Sequence, residues 1–448
     1  MTIAVIGGGI TGLSAAWELA RKTQEVVLIE PGPFGGLLRS EAIEDCLIEC
    51  GADSWLASKP WLRNLAGEMG LADDVIPCNE AIRQTFILRC GVLYPLPRGL
   101  RLVAPTEWKP LVESDLLSPA TKLRMLLELR RKPSDEGDRS VSDFVRDHFG
   151  GEAVEYLAEP LFAGVYGGSP EKLGMAGVLP GMLEHERIYG SVIRGALREP
   201  KPSGPLFESM RGGLGQIPSA IVERLASRIR IIRDAAEKVE TGRVRVSGDW
   251  LKVDQVLIAS GAPSAARLLA GSPAADLLRK IHHSSATIFV LGFHAGDLKR
   301  KPAGFGFLVP RAERRTIMAA TWVTNKFPHR APADKAIVRC FVAGDHNETL
   351  LDEVRHDFSR ITGIDAAPWF ARVYRWPDSM PQYGVGHAEL VGRIEGAMPS
   401  GVRVAGAFLR GVGMPDCVKC ATRVAGQIPV AGTSPERSHA NPRSAPLL

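Results

Sequence analysis

The stretch "AVIGGGITGLSAAWELARK" at residues 4–22 decides the fold, because it joins an apolar run to a helical pattern through a glycine-rich turn, Gly7–Gly12. Thr2–Ile6 is short, apolar and rich in β-branched residues, which predicts a buried strand. Apolar residues then recur at helical spacing, and a second apolar strand follows at 26–29. Strand, glycine turn, helix and strand in about 30 residues are typical of the dinucleotide-binding fingerprint of a doubly wound α/β fold.

The glycine turn predicts a pyrophosphate site, because its backbone allows close approach and the helix N-terminus offers unpaired N–H groups. The residues of this predicted site are Gly7, Gly8, Gly9, Ile10, Thr11 and Gly12. Glu30 follows Gly12 by 18 positions, where the fold places an acid on a ribose hydroxyl, and Pro31 comes next. NAD, NADP and FAD all use this motif, so the turn alone leaves the nucleotide open.

Two further features favour FAD. A second glycine pair, Gly35-Gly36, stands in "PGPFGGLLRS" at residues 31–40 and, with Arg39 three positions on, suits a second approach to a diphosphate. Residues 402–428, "VRVAGAFLRGVGMPDCVKCATRVAGQI", again indicate a strand, a glycine-rich turn and a helix. A second helix N-terminus, some 400 residues from the first, would close on the opposite end of a long cofactor. We therefore predict FAD bound between the two ends of the chain.

The composition is that of an ordinary globular protein. The 448 residues exceed one usual core, so two or three domains are expected, and the chain is 45% apolar and 23% charged. The net charge of +5 does not indicate nucleic acid, but it suits an anionic substrate or a membrane surface. No apolar run reaches the roughly 18 residues of a membrane span, and a strand that starts at Thr2 leaves no room for a signal peptide. We expect a cytoplasmic protein, with peripheral contact at the inner face of the membrane left open.

The seven cysteines, an odd number without an export signal, indicate reduced thiols. Cys417 and Cys420 form a CxxC pair with two interpretations. They are either a redox disulfide, as in some flavoproteins, or two small packing residues near the start of a helix, and the second interpretation is favoured. With no second CxxC pair and no matching histidine cluster, no metal site is predicted.

The predicted fold class is α/β, with an FAD-binding doubly wound (Rossmann-like) domain, a mixed-sheet substrate domain and a helical insertion. The stretches "PLFAGVYGG" at 160–168 and "MAGVLPGM" at 175–182 of the insertion form either a membrane-docking face or buried core helices, and the second interpretation is favoured. The predicted segments are 1–80, 206–275 and 381–431 for the FAD-binding domain, 81–110 and 276–380 for the substrate domain, 111–205 for the helical insertion, and 432–448 for a disordered tail. Within the insertion, Ser118 is a candidate N-cap before Pro119.

Three motifs are more specific than the glycine fingerprint, namely "GADSWL" at 51–56, "GVYGGSP" at 164–170 and "RWPDSMPQY" at 375–383. With the fingerprint, they resemble the oxygen-dependent porphyrinogen oxidases, which are the protoporphyrinogen oxidases and their bacterial coproporphyrinogen-oxidising relatives among the amine-oxidase-like flavoproteins. The resemblance implies oxidation of coproporphyrinogen III to coproporphyrin III in haem biosynthesis. In this reaction a hydride would be transferred from a meso carbon of the substrate to the flavin. Molecular oxygen would then reoxidise the flavin and be released as hydrogen peroxide. It also implies hand-over of the product to the next haem-pathway enzyme.

The resemblance also implies roles for individual residues around the cofactor. Gly36, Leu38 and Arg39 would line the diphosphate. Gly51, Ala52, Asp53 and Ser54 would pass the isoalloxazine side, while Trp376, Val412, Gly413 and Met414 would close on the flavin. Val239 would contact the adenine edge through its backbone, although a plain strand valine is an almost equal reading. No catalytic side chain is predicted, because a histidine on a strand or loop is more often structural. The histidines considered are His282, His283, His329 and His387.

The choice of porphyrinogen rests on carboxylates, since coproporphyrinogen carries four propionates and protoporphyrinogen two. Thr85 stands where animal and plant protoporphyrinogen oxidases carry an arginine, which favours coproporphyrinogen III. Weak candidates for binding carboxylates are Arg98, Arg311, Arg314, Arg315, Lys326 and Arg330. The alternatives are a protoporphyrinogen IX oxidase, an amine oxidase or carotenoid desaturase-like flavoprotein, and a flavin-bearing scaffold without turnover.

Overall fold

The computed structural model describes residues 1–22, 25–200, 204–298 and 302–429. The tail predicted at 432–448 lies outside the described residues. In chain order the strands are β1 Thr2–Ile6, β2 Glu25–Ile29, β3 Ser40–Ile43, β4 Cys46–Glu49, β5 Trp55–Leu56, β6 Val75–Pro77, β7 Thr85–Arg89, β8 Val92–Pro95, β9 Leu100–Arg101, β10 Ala104–Pro105, β11 Phe207–Met210, β12 Arg230–Ile232, β13 Ala236–Glu240, β14 Arg243–Val246, β15 Asp249–Lys252, β16 Gln255–Ile258, β17 His283–His294, β18 Gly306–Leu308, β19 Ala319–Trp322, β20 Lys335–Ala343, β21 Phe370–Pro381 and β22 Val402–Val404.

The helices either connect these strands or form the insertion that follows β10. In chain order they are α1 Ile10–Ala20, α2 Trp61–Glu68, α3 Trp108–Glu113, α4 Pro119–Glu128, α5 Val141–Phe149, α6 Gly151–Ala153, α7 Glu159–Tyr166, α8 Met175–Val178, α9 Pro180–Tyr189, α10 Val192–Ala196, α11 Gln216–Leu225, α12 Ala262–Leu268, α13 Pro273–Leu278, α14 Val323–Lys326, α15 Leu351–Thr362, α16 His387–Gly396 and α17 Met414–Gly426. A π-helical turn at Val154–Ala158 joins α6 to α7.

A five-stranded parallel sheet, in the order β12-β2-β1-β16-β22, gathers strands from distant parts of the chain. Residues 3–6 of β1 are buried and uniformly apolar, as expected for a parallel strand covered on both faces by helices. On one face α1 packs against α17. The first and last described helices therefore meet beside one sheet, as the FAD prediction requires.

A seven-stranded sheet, in the order β21-β17-β20-β19-β18-β7-β8, is the predicted mixed sheet, since only the β7–β18 pair is parallel. Side chains alternate along β20 with the period of two that a strand imposes. Ile337 and Phe341 pack with the β3–β4 hairpin, whereas Val338 and Cys340 pack with α15 on the other face. Arg339 shares the hairpin side, where it reaches the segment that follows β4.

The helical insertion, α3–α10, has a core of its own that includes Phe144 and Leu157. The prediction of a cap at Ser118 is confirmed, because its side chain accepts a hydrogen bond from the backbone N–H of Thr121 at 3.3 Å. Across the ranges described, the helices are too short or too polar for any to cross a bilayer.

Candidate flavin site

The glycine turn lies where β1 ends and α1 begins, at the carboxyl edge of the parallel sheet. Gly7 has a φ of +111°, and a Cβ on Gly12 would collide with the carbonyl oxygen of Gly7, so the tight turn requires glycine at both positions. A Cβ on Gly9 would instead meet no atom of the described chain within 4 Å. The turn is thus closed on its inner side and open at Gly9, where the first N–H groups of α1 emerge.

Glu30 holds the glycine turn in place from the end of β2. Its carboxylate accepts hydrogen bonds from the backbone N–H of Gly8 at 2.6 Å and of Gly32 at 2.7 Å. The acid therefore stands beside the turn, where the fingerprint places a ribose, while the neighbouring Pro31 is exposed. Its predicted contact with the ribose stays a prediction.

The second glycine pair lies directly against the first turn. The backbone N–H of Gly35 donates to the carbonyl of Gly8 at 2.8 Å, and a Cβ on Gly36 would stand 3.3 Å from the Cα of Gly9. Leu38 is buried, and Arg39 is exposed without an ion pair to the rest of the described chain. Two glycine loops therefore face one open region, which fits the passage of a diphosphate.

The segment Gly51–Ser54 joins this cradle to the seven-stranded sheet. A Cβ on Gly51 would collide with the carbonyl oxygen of Leu37, and the N–H of Ala52 donates to the same oxygen at 3.2 Å. From β21, the indole N–H of Trp376 donates to the carbonyl of Cys50 at 2.8 Å. The structure thus brings together two stretches that lie over 300 residues apart and that were both predicted to touch the flavin.

The turn before α17 completes the cradle from the C-terminal side. Gly413 is the N-cap of α17 and offers no capping side chain, as is also true of Gly9 before α1. Lys59, beyond the Gly51–Ser54 segment, forms an ion pair with Asp416 in the first turn of α17 at 2.6 Å. Val412 is half-buried and Met414 is buried beside them. Two helix N-termini with uncapped N–H groups are favourable for a diphosphate and a reduced flavin, both of them anionic.

One part of the site was missed by sequence reasoning, namely the end of β16. A Cβ on Gly7 would lie 3.0 Å from the backbone N of Ser260, so this residue borders the glycine turn. The hydroxyl of Ser260 is buried and has no hydrogen-bond partner within the described ranges. The signal in the sequence is "LIASGAP" at 257–263, an apolar strand followed by small residues and a helix, as in the first motif. An unpartnered hydroxyl at this edge fits a polar cofactor.

A buried charge cluster lies under Gly51–Ser54, and we define it as Glu49, Asp53, Lys326, Arg330 and Arg339. Lys326 contacts Asp53 at 3.0 Å, Arg339 contacts Asp53 at 3.4 Å, and Arg330 contacts Glu49 at 2.8 Å. Burial raises the pKa of Asp53, but Lys326 and Arg339 outweigh burial, so this pKa lies well below its usual range.

This cluster corrects the prediction for two of the basic residues. Lys326 and Arg330 were candidates for carboxylates of the substrate, but Lys326 is 7% and Arg330 1% exposed, and both are paired with carboxylates of the chain itself. The sequence around Lys326 and Arg330 does not reveal that carboxylates almost 300 residues earlier, in β4 and the segment after it, will neutralise them.

The remaining substrate candidates lie toward the helical insertion. Thr85 begins β7 and pairs with Gly306. Arg98 is exposed, and so is the side chain of Arg311, whose backbone N–H donates to Glu159 at 2.9 Å. Arg314 forms an ion pair with the same Glu159 at 2.8 Å. Arg315 is exposed.

His387 and the CxxC pair lie in packed, buried surroundings, as expected for residues with a structural role. His387 is buried, stacks on Tyr383 with ring centroids 4.0 Å apart, and contacts the carbonyl of Leu409 at 3.1 Å. Burial raises the pKa of the Cys417 thiol to about 12, which leaves it without thiolate character at neutral pH. The packing interpretation of Cys417 and Cys420 is therefore the better one.

Val239 and the three other candidate histidines lie either within a strand or exposed at the surface. Val239 is buried in β13 and pairs with Val244 of the ribbon β13-β14-β15. His283 contacts the carbonyl of Ile281 at 3.0 Å, while His282 and His329 are exposed. The contact of Val239 with an adenine stays a prediction.

This combination of a dinucleotide cradle and a mixed sheet defines a flavoprotein oxidoreductase. The profile of the family "Flavin containing amine oxidoreductase" matches residues 10–429, and the chain belongs to that family. The predicted α/β fold, the FAD cofactor and the enzymatic nature of the protein are thereby confirmed.

Within this family the chain belongs with the porphyrinogen oxidases. It is 31% identical to coproporphyrinogen III oxidase of Staphylococcus aureus over 93% of this chain and 96% of that protein, and 30% identical to the Bacillus subtilis enzyme over 93% and 95%. A crystal structure from Exiguobacterium sp. 255-15, provisionally described as a protoporphyrinogen oxidase, superposes with a TM-score of 0.85 at 29% identity, covering 95% of this chain and 98% of that one.

Proposed function

We propose that this protein oxidises coproporphyrinogen III to coproporphyrin III with FAD and molecular oxygen, releasing hydrogen peroxide. The observation that carries the proposal is the joint cradle, in which two glycine loops and two uncapped helix N-termini from opposite ends of the chain meet at one edge of the parallel sheet. The relatives named coproporphyrinogen III oxidase support the choice of substrate.

The residues of the cradle divide the work of holding the cofactor. We assign the diphosphate to the glycine turn, Gly36 and Arg39, the ribose to Glu30, and the isoalloxazine to Gly51–Ser54, Trp376 and the turn 412–414. When bound, FAD would supply the two-electron redox chemistry of the reaction. The chain contributes binding, orientation and the exclusion of water.

The substrate is assigned to the side of the cradle that faces the helical insertion. Thr85, Arg98 and Arg311 are the proposed contacts for the propionates, supported by the two arginines being exposed. Arginine matches a carboxylate with two parallel hydrogen bonds, so exposed arginines suit a substrate that carries four such groups. A substrate domain made of 81–110 and 276–380, beside an FAD domain made of 1–80, 206–275 and 381–431, is the division that we propose.

Turnover with two porphyrinogens tests this function directly. Aerobic porphyrin fluorescence should rise faster with coproporphyrinogen III than with protoporphyrinogen IX. A preference for protoporphyrinogen IX would overturn the substrate assignment and leave the family in place. Anaerobic bleaching of the bound flavin separates the other classes, since a scaffold would not bleach and an amine oxidase would bleach only with amines.

We also propose peripheral membrane contact through α4 of the helical insertion. Leu123, Leu126 and Leu127 lie at helical spacing and are 49–56% exposed, with the exposed Arg130 and Lys132 just beyond the helix. An apolar stripe next to basic residues suits an anionic lipid surface. Co-sedimentation of the protein with phosphatidylglycerol vesicles, but not with phosphatidylcholine vesicles, would support this proposal. It would be refuted if a variant with serine at all three leucines sedimented with phosphatidylglycerol vesicles as completely as the parent protein. Hand-over to the next haem-pathway enzyme rests on the resemblance alone.

A further inference from the structure

The charge cluster under Gly51–Ser54 is not balanced. It holds three cationic side chains, Lys326, Arg330 and Arg339, but only two carboxylates, Glu49 and Asp53. These five side chains are at most 16% exposed, so bulk water screens the excess charge weakly. One positive charge is therefore left uncompensated within the cluster.

Asp53 is held in its ionised form, whereas Glu49 is a more deeply buried carboxylate with several hydrogen-bond donors. Asp53 contacts two cations and accepts a hydrogen bond from Ser54 at 2.7 Å. Burial raises the pKa of Glu49, but its oxygens accept from Arg330, from the hydroxyl of Ser40 at 2.7 Å and from the N–H of Leu214 at 2.9 Å. These three donors favour the charged form of Glu49 and oppose burial, which is the larger effect on its pKa.

The cations retain hydrogen-bonding capacity beyond these pairs. Nε and Nη1 of Arg330 and Nε of Arg339 are buried without an acceptor anywhere in the described ranges. Arg339 also donates through Nη2 to the carbonyl of Gly51, and Lys326 donates to Ser54 at 2.7 Å. The excess charge is thus coupled by direct hydrogen bonds to the loop that we assign to the isoalloxazine.

We propose that this cluster tunes the bound flavin, because its single excess positive charge stabilises the negatively charged reduced form and raises the reduction potential. The inference rests on the proposed function, since it requires the isoalloxazine to lie at Gly51–Ser54. Lys326, Arg330 and Arg339 act through this loop, which makes them positioning residues and not catalytic ones. A balanced cluster would place no net charge beside this loop, whereas the observed cluster places an excess of one cation there.

Opposite charge changes in the cluster provide the test. Lys326→Met removes one cation and should lower the midpoint potential, while Glu49→Gln removes one anion and keeps a hydrogen-bond acceptor, which should raise it. For each variant we expect about a tenfold change in the relative affinity for reduced over oxidised flavin, which is about 30 mV for a two-electron couple. The double variant restores the net charge and should return close to the parent potential. The measurement is equilibration of the FAD-loaded protein with redox dyes.

The double variant distinguishes electrostatics from damage, because structural damage would add in the double variant whereas the charge effects cancel. Lys326→Arg, which keeps the charge, should retain the parent potential and is informative even if Lys326→Met binds flavin poorly. Shifts of the same sign, or none, in a protein that still binds FAD and oxidises coproporphyrinogen III would overturn this inference alone. A parent protein that takes up no FAD would overturn the proposed function and the inference with it.

Discussion

The glycine turn and the charge cluster border the same candidate site, yet they are built from different material. The turn consists of backbone atoms, and its shape follows from residues that are close together in the sequence, such as Gly7 and Gly12. The cluster consists of long side chains from β4, the loop after it, α14 and β20, almost 300 residues apart. The difference teaches that the closed inner side of a backbone turn tolerates no added atom, whereas a side-chain site tolerates changes of shape but not of charge.

The largest effect is expected from Gly12→Ala, which places a methyl group on the closed inner side of the glycine turn. The new methyl group would collide with the carbonyl of Gly7, a backbone atom that cannot rotate away. We expect loss of bound FAD and a fall of more than about 5 kcal/mol in the free energy of unfolding of the flavin-free protein. Urea unfolding and the flavin absorbance of the purified protein check both.

Gly9→Ala is the matched control for Gly12→Ala, because its Cβ meets nothing within 4 Å of the described chain and its φ of −73° is open to alanine. The flavin-free protein should keep its stability within about 0.5 kcal/mol. Its Kd for FAD should still rise at least tenfold if the pyrophosphate passes there. An unchanged Kd would contradict the assignment of the turn to the diphosphate.

The next effect is expected from Arg330→Met in the charge cluster. Glu49 would lose its ionic partner in a buried place, and breaking one side of a buried pair costs about 3–5 kcal/mol. The midpoint of urea unfolding measures the loss. Adding Glu49→Gln to Arg330→Met should recover part of the stability, because no unpaired charge then stays buried. A single variant as stable as the parent would show that the pair contributes little.

The same contrast explains what the sequence could predict. The strand–turn–helix order around Gly7–Gly12 is local, so the fold class, the parallel sheet and the FAD cradle follow from spacing and residue type. The partners of Lys326 and Arg330 follow from how the β3–β4 hairpin docks on β20, and no local pattern records that docking. Ser260 is an intermediate case. The sequence shows the apolar strand and the small residues around it, but its place beside β1 depends on the order of strands in the sheet.

A smaller effect is expected at His387, whose side chain supports the backbone just before the second helix N-terminus. Burial lowers the pKa of His387, so the folded protein keeps this imidazole neutral where the unfolded chain, with a pKa near 6.5, already binds a proton. Stability should therefore fall as the pH drops below about 6.5. His387→Gln should lose this part of the pH dependence, as measured by urea unfolding at pH 7.5 and 5.5. His356→Gln, at an exposed position on α15, should keep it.

The smallest effects are expected for the exposed arginines that we assign to the substrate. Neither Arg98 nor the Arg311 side chain forms an ion pair with a described residue, so losing either one disturbs no internal contact. Contacts between exposed charges contribute about 0.2–1 kcal/mol. Arg98→Ala and Arg311→Ala should therefore raise KM for coproporphyrinogen III a few-fold at nearly constant kcat. The rise should be smaller for protoporphyrinogen IX, which has two propionates fewer. Arg230→Ala, at an exposed position of β12 in the parallel sheet and without an ion pair among the described residues, is the matched surface control. An equal rise in KM there would show that the effect is one of general surface charge.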